Sequence, residues 1–206
     1  MTAVVVMAKA PRPGAVKTRM CPPLTAEQAA ELAEACLAST LAAVAGAAAT
    51  HRVLVLDGPA GPWLPGGFEL LTPRGQGLSE RLAAAFEDIG EAALAIGMDT
   101  PQVTAELLDG AMGRLGDPAV DAVLGPADDG GYWAIGLRRA DRRVFEAVPM
   151  SAPDTCTRQR ARLDELGLPV AGLPRLRDVD RVPDARAVAA AMGPSPFSDV
   201  VARLLG

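Results

Sequence analysis

The sequence predicts an α/β protein: a mostly parallel sheet with helices on both faces. Two observations predict it. Short apolar runs recur, as in AVVVMA (3–8), which is rich in β-branched residues, RVLVL (52–56) and ALAIGMD (93–99), which ends on an aspartate. Such runs suit strands buried on both faces. Between them lie longer stretches with helix signals. Thr25 with Gln28 reads as a capping box opening a long helix, and further helices are expected over 78–89 and 103–115.

The remaining elements follow in order. A Pro/Gly loop over 9–24 leaves the first strand. FELL (68–71) is a short strand, and RGQG (74–77) turns the chain into the helix at 78. AVDAVLG (119–125) and YWAIGL (132–137) are strands separated by PADDGG (126–131). Beyond them, helices are expected near 141–147, 157–166, 183–192 and 197–205, with a short strand around 169–171. No internal repeat or low-complexity linker interrupts the pattern, so residues 1–206 are expected to form one domain.

Charge narrows the function. The chain carries a formal net charge of −5, with eighteen Arg and only two Lys, Lys9 and Lys17. Both lie in KAPRPGAVKTR (9–19), which has four cations and no acid. The rest of the chain therefore sums to −9. An acidic body with one compact basic loop argues against nucleic-acid binding, which needs a broad basic face. It favours a small anionic ligand. Three scattered cysteines and a single His51 make neither a disulfide framework nor a zinc site. The apolar start is too short for a secretory signal, and the Ala-rich stretch 37–50 is too short to span a bilayer. A cytoplasmic location with no membrane partner is expected.

In parallel sheets, ligands bind at the carboxyl ends of strands, and that rule selects the candidate residues. The basic loop follows the first strand. Its Lys9, Arg12, Gly14, Lys17, Thr18 and Arg19 suit phosphate binding through charge-assisted bonds. It is no Walker loop, since the GxxxxGK[ST] spacing around Lys17 is not met, and no GxGxxG is present. Asp99 directly follows the third strong strand, where it could hold a divalent cation or cap the next helix. In PADDGGYW, Asp128 and Asp129 offer acceptors, while Gly130 and Gly131 allow close backbone approach or a plain turn. In LRDVDRVPD (176–184), Asp178 and Asp180 alternate, so either could join Asp99 on a metal or precede a helix. Gly75, Gly77 and Arg81 of RGQGLSERL could read a base or sugar, with a surface salt bridge the other reading of Arg81.

These five segments, in this order, resemble the DUF2064 family, also described as selenodomain- or arsenosugar-associated glycosyltransferases. That family belongs to the nucleotide-diphospho-sugar transferase (GT-A-like) superfamily. The resemblance spans roughly residues 3–190. It implies a three-layer α/β/α sandwich with one reversed strand, for which YWAIGL is the candidate. It also implies phosphate binding by Lys9, Arg12, Lys17 and Arg19, Mg²⁺ or Mn²⁺ on Asp99 with Asp178 or Asp180, and an acceptor pocket lined by Gly130 and Gly131. Asp99 and Asp129 are the catalytic candidates. The family commonly has Ser-Asp-Cys-Pro where this chain has Met98-Asp99-Thr100-Pro101. The expected ligands are a nucleotide sugar or nucleoside triphosphate and a small-molecule acceptor, and a homodimer is one assembly the resemblance allows. Glycosyl transfer is the first expectation, nucleotidyl transfer the second, and a non-catalytic nucleotide-binding role the third.

Overall fold

The computed structural model describes residues 2–206. Seven strands form one sheet: β1 (Ala3–Lys9), β2 (His51–Asp57), β3 (Glu69–Leu71), β4 (Ala93–Gly97), β5 (Ala122–Pro126), β6 (Tyr132–Leu137) and β7 (Val170–Gly172). Their order is β3-β2-β1-β4-β6-β5-β7. All neighbouring pairs are parallel except those of β6, which runs antiparallel to both β4 and β5. YWAIGL is thus the reversed strand.

Alternation within β1 explains why it must lie at the centre. Val4 and Val6 enter one hydrophobic cluster and Ala3 and Val5 the other, so both faces are covered. One face is covered by α1 (Ala26–Gly46) and α3 (Ala105–Gly116). The other is covered by α2 (Gly77–Ile89), a 3₁₀ turn at Arg142–Phe145 and α4 (Thr155–Glu165).

The helix α1 opens with the expected capping box: the Thr25 hydroxyl accepts from Gln28 N, and the Gln28 side chain accepts from Thr25 N. At 21 residues, α1 is by length and composition able to cross a membrane. Its burial accounts for that apolarity within the protein. Ala30, Ala33, Leu37, Leu41 and Val44, at helical spacing, face the sheet. Ala29, Leu32 and Cys36 face a third cluster with α5 (Val182–Met192) and α6 (Pro196–Leu205). An apolar helix covered on two sides needs no lipid.

Two local expectations are corrected. Residues 141–147 form no α-helix but the short 3₁₀ turn, capped by Asp141, with Ala147 at φ 60 closing it. Val144 and Phe145 are buried, with the Phe145 ring stacked on Phe86 at 5.6 Å. Packing against α2 therefore overrides the helical spacing of the apolar residues. At β5, residues 119–121 lie outside the strand, which starts at Ala122.

Candidate functional site

The carboxyl ends of β1, β2, β4 and β5 share one edge of the sheet, because all four are parallel or joined through the single reversed strand. After β7 the chain crosses this edge as a segment without regular secondary structure, 173–181, in which Asp180 N donates to Asp178 O at 3.1 Å. It is stitched down in sequence. Trp133 Nε1 donates to Pro174 O at 2.9 Å, Asp128 N to Leu176 O at 3.0 Å, and Val179 N to Asp99 O at 2.8 Å. Val179 itself is fully buried in the cluster under α1, α5 and α6. With Val179 pointing inward, Asp178 and Asp180 remain at the surface of the edge.

Four acids gather there. Asp178 is half-buried, and burial pushes its carboxyl up to about 7, with Asp129, Asp99 and Asp180 adding to the effect and Lys17 opposing it. The Asp129 carboxylate also shapes its own turn, with Oδ1 accepting from Gly131 N at 2.8 Å. Neither Asp99 nor the 178–180 pair caps a helix. Thr104 caps α3, and Arg181 with Asp184 opens α5.

The basic loop divides into two parts. Lys9 and Arg12 are exposed and, among the described residues, form no ion pair. Lys9 ends β1 opposite Asp57. The Arg12 guanidinium lies beside Gly58, about 3.7 Å from where a side chain there would begin. Lys17 and Arg19 are held by acids instead. The Lys17 ammonium donates to Asp99 Oδ1 and to Val179 O, and its side chain is only 5% exposed. Burial acts to lower its pKa, but Asp99 foremost, together with Cys36 and Asp180, more than offsets this and the pKa is raised. Arg19 bonds Asp180 Oδ2 at 2.5 Å. Gly14 takes φ 76 in the turn before Lys17, and Thr18 starts a 3₁₀ turn ending at the buried Met20.

Arg81 bonds Asp57 Oδ2 at 2.9 Å, so the RGQG helix is tied to the end of β2. Asp57 was missed by the sequence reading, although it directly follows the apolar run RVLVL as Asp99 follows its own strand, and that signal could have found it. Gly75 and Gly77 shape the first turn of α2, where a Cβ on Gly75 would press on Glu80 at 2.6 Å. The structure does not join them to the acids. Val179 also escaped notice. Its only signal was one apolar residue between two aspartates.

Gly130 is needed for its smallness. At φ 91, a Cβ there would lie 1.8 Å from Pro153 O. Gly130→Ala is expected to cost about 2–4 kcal/mol by strain and displacement of the 150–155 segment. Chemical denaturation would measure it. Beside the acid site, the Thr100 hydroxyl is buried without a hydrogen-bond partner. Thr100→Val removes that unsatisfied group at equal volume and is expected to raise stability by about 1 kcal/mol.

Can these residues hold a divalent cation? Their donor chemistry fits: all are carboxylate oxygens suited to Mg²⁺ or Mn²⁺, and the mutual repulsion around Asp178 is what a dication relieves. Among the described residues, however, no three acids stand at ligand spacing. Two of the expected three are engaged by Lys17 and Arg19. Asp129 joins Asp99 and Asp178 as an additional candidate.

Comparison with known proteins agrees with the fold. A crystal structure of a "putative nucleotide-diphospho-sugar transferase" from Desulfovibrio desulfuricans G20 superposes with a TM-score of 0.85 at 26% identity, covering 98% of this chain and 92% of that one. The CTP complex of CMP:2-keto-3-deoxy-manno-octonic acid synthetase matches with a TM-score of 0.58 at 11% identity, covering 93% and 98%. The manganese complex of Rv0371c from Mycobacterium tuberculosis H37Rv matches at 0.53 and 18%, covering 91% and 97%. The last two likenesses show the fold alone. No curated protein matches. The family described as uncharacterized proteins conserved in bacteria, DUF2064, matches over residues 24–152. With more than half of its length matched, and the sheet order and reversed strand in place, this chain is a member of the DUF2064 family.

Proposed function

We propose that the chain is a metal-dependent transferase acting on a nucleotide-activated donor, with glycosyl transfer from a nucleotide-diphosphate sugar to a small-molecule acceptor as its reaction. The observation that carries this reading is one edge of a sheet with two chemistries side by side. Lys9 and Arg12 stand free at the ends of β1 and β2, and Asp99, Asp129 and Asp178 gather at the ends of β4 and β5. The sugar-nucleotide description of the Desulfovibrio relative supports it.

In this reading Lys9 and Arg12 bind the diphosphate and stabilise the charge that grows on it as it leaves. Asp99, with Asp178 or Asp180, would hold Mg²⁺ or Mn²⁺, which would supply Lewis-acid stabilisation of the same leaving group. Asp129 sits beside the glycine turn and takes the acceptor's proton as the acceptor oxygen bonds the anomeric carbon and the carbon–oxygen bond to the diphosphate breaks. Gly130 and Gly131 leave room for the acceptor. The Arg81–Asp57 pair presents polar groups to the nucleoside. A cytoplasmic location accompanies this reading.

Nucleotidyl transfer is the second reading. The loop carries four cations, a number that suits a triphosphate although Lys17 and Arg19 are paired with acids, and a neighbour of the same fold is a CTP complex. A thermal-shift panel of nucleoside triphosphates and nucleotide sugars, with and without Mn²⁺, separates the two. A nucleotide sugar at 100 times its Kd is expected to raise Tm by roughly 5–10 °C, in the presence of Mn²⁺. Stabilisation by triphosphates alone would transfer the assignment to nucleotidyl transfer. No stabilisation by either class would refute both.

A further inference from the structure

The acids at this edge already hold a cation. Lys17 reaches them from the basic loop, and its ammonium is enclosed between the Asp99 carboxylate and the Val179 carbonyl. The backbone at Lys17 takes the left-handed conformation, φ 49, to place it there. A lysine keeps that geometry only where its surroundings hold it. Here Val16 and Met20, on either side, are 7% and 0% exposed. Lys9, the chain's other lysine, is exposed and pairs with no acid among the described residues. The two lysines of one motif therefore have different tasks.

We infer that Lys17 is a positioning residue and the resident counter-ion of the acid site. It ties Asp99 to the 178–180 segment, competes with a free divalent cation, and leaves phosphate binding to Lys9 and Arg12. This rests on the metal-dependent reading above. Its consequence concerns the form in which the metal is taken up. An acid site with a unit of its charge already cancelled binds a bare dication weakly. The same dication carried on nucleotide phosphates brings its own negative charge, and Lys9 and Arg12 receive it. The preferred ligand is thus the metal–nucleotide complex, not the metal followed by the nucleotide.

Mn²⁺ binding without nucleotide, measured by calorimetry, tests the competition. Lys17→Met is expected to bind Mn²⁺ roughly 10-fold more tightly than the wild type, and Lys17→Arg to restore weak binding. Lys9→Met should stay within about 2-fold of wild type, because Lys9 is exposed and pairs with no acid among the described residues. Equal Mn²⁺ affinities in Lys17→Met and Lys9→Met would overturn the inference.

A second measurement needs neither metal nor a lysine variant. With two lysines in the chain, a ¹⁵N spectrum of side-chain ammonium groups is assignable. Lys17 should give a slowly exchanging signal that Asp99→Ala abolishes, while the Lys9 signal is averaged with solvent. Absence of a protected Lys17 signal in the wild type would overturn the inference even if Lys17→Met failed to fold. A wild type with that signal that binds no Mn²⁺, with or without nucleotide, would instead refute the metal-dependent reading and the competition with it.

Discussion

Asp99→Asn is expected to lower kcat/KM by roughly 10³-fold, the loss that follows from removing one strong electrostatic stabiliser of a developing charge, about 4 kcal/mol. Asparagine is the informative substitution because Lys17 depends on this position. Asp99 is half-exposed, but its partner's side chain is 5% exposed. Alanine would leave that buried ammonium with only the Val179 carbonyl, and stranding a buried charge is costly in its own right. Asparagine keeps an acceptor oxygen for Lys17 and removes only the charge. A variant that melts near wild type, yet shows no Mn²⁺-dependent nucleotide stabilisation, places the effect on ligand binding. Undiminished Mn²⁺-dependent stabilisation would remove Asp99 from the metal site.

The contrast between the two lysines shows where sequence reading stops. The strands were legible because burial on both faces forces a continuous apolar run, as in residues 3–8 and Ala93–Gly97. Asp99 was legible because a polar residue directly after such a run falls at the sheet's carboxyl edge. The capping box at Thr25 is local chemistry and survived unchanged. Lys17 differs. Nothing in KAPRPGAVKTR tells which cation faces solvent and which turns inward. That is set by the left-handed backbone at residue 17 and by contact with residues 82 and 162 positions away. Arg81 presents the same difficulty, since its partner Asp57 lies on a different element. The 141–147 segment failed for a related reason. Val144, Phe145 and Val148 have helical spacing, but they are buried by packing against α2 and not by a helix of their own.

Asp178→Asn should act in opposite directions on stability and on activity. The folded-state pKa of Asp178 is pushed from the usual carboxylate range up to about 7, chiefly by burial and then by Asp129 and Asp99, with Asp180 adding and Lys17 opposing. A carboxyl whose folded pKa is raised binds its proton more tightly in the native state than in the unfolded one. Its contribution is therefore most favourable below about pH 4. It is lost as pH rises from about 4 to about 7, and above that the protein carries a strained carboxylate. Asparagine removes that strain at the same volume. Because the site is half-buried and solvent-screened, the gain at pH 8 is on the order of 1–2 kcal/mol, or about 3–6 °C in Tm, and close to zero at pH 4. The same substitution deletes a metal-ligand candidate, so metal-dependent turnover should fall by about 10²-fold or more. Melting curves at pH 4 and pH 8, set beside turnover, test both halves. A variant destabilised equally at both pH values would show that Asp178 supports the fold through contacts that do not depend on its charge. One with unchanged turnover would leave Asp180 as the partner of Asp99. Gained stability with lost turnover would mark the acid cluster as a place where the sequence gives up native stability in order to bind a cation.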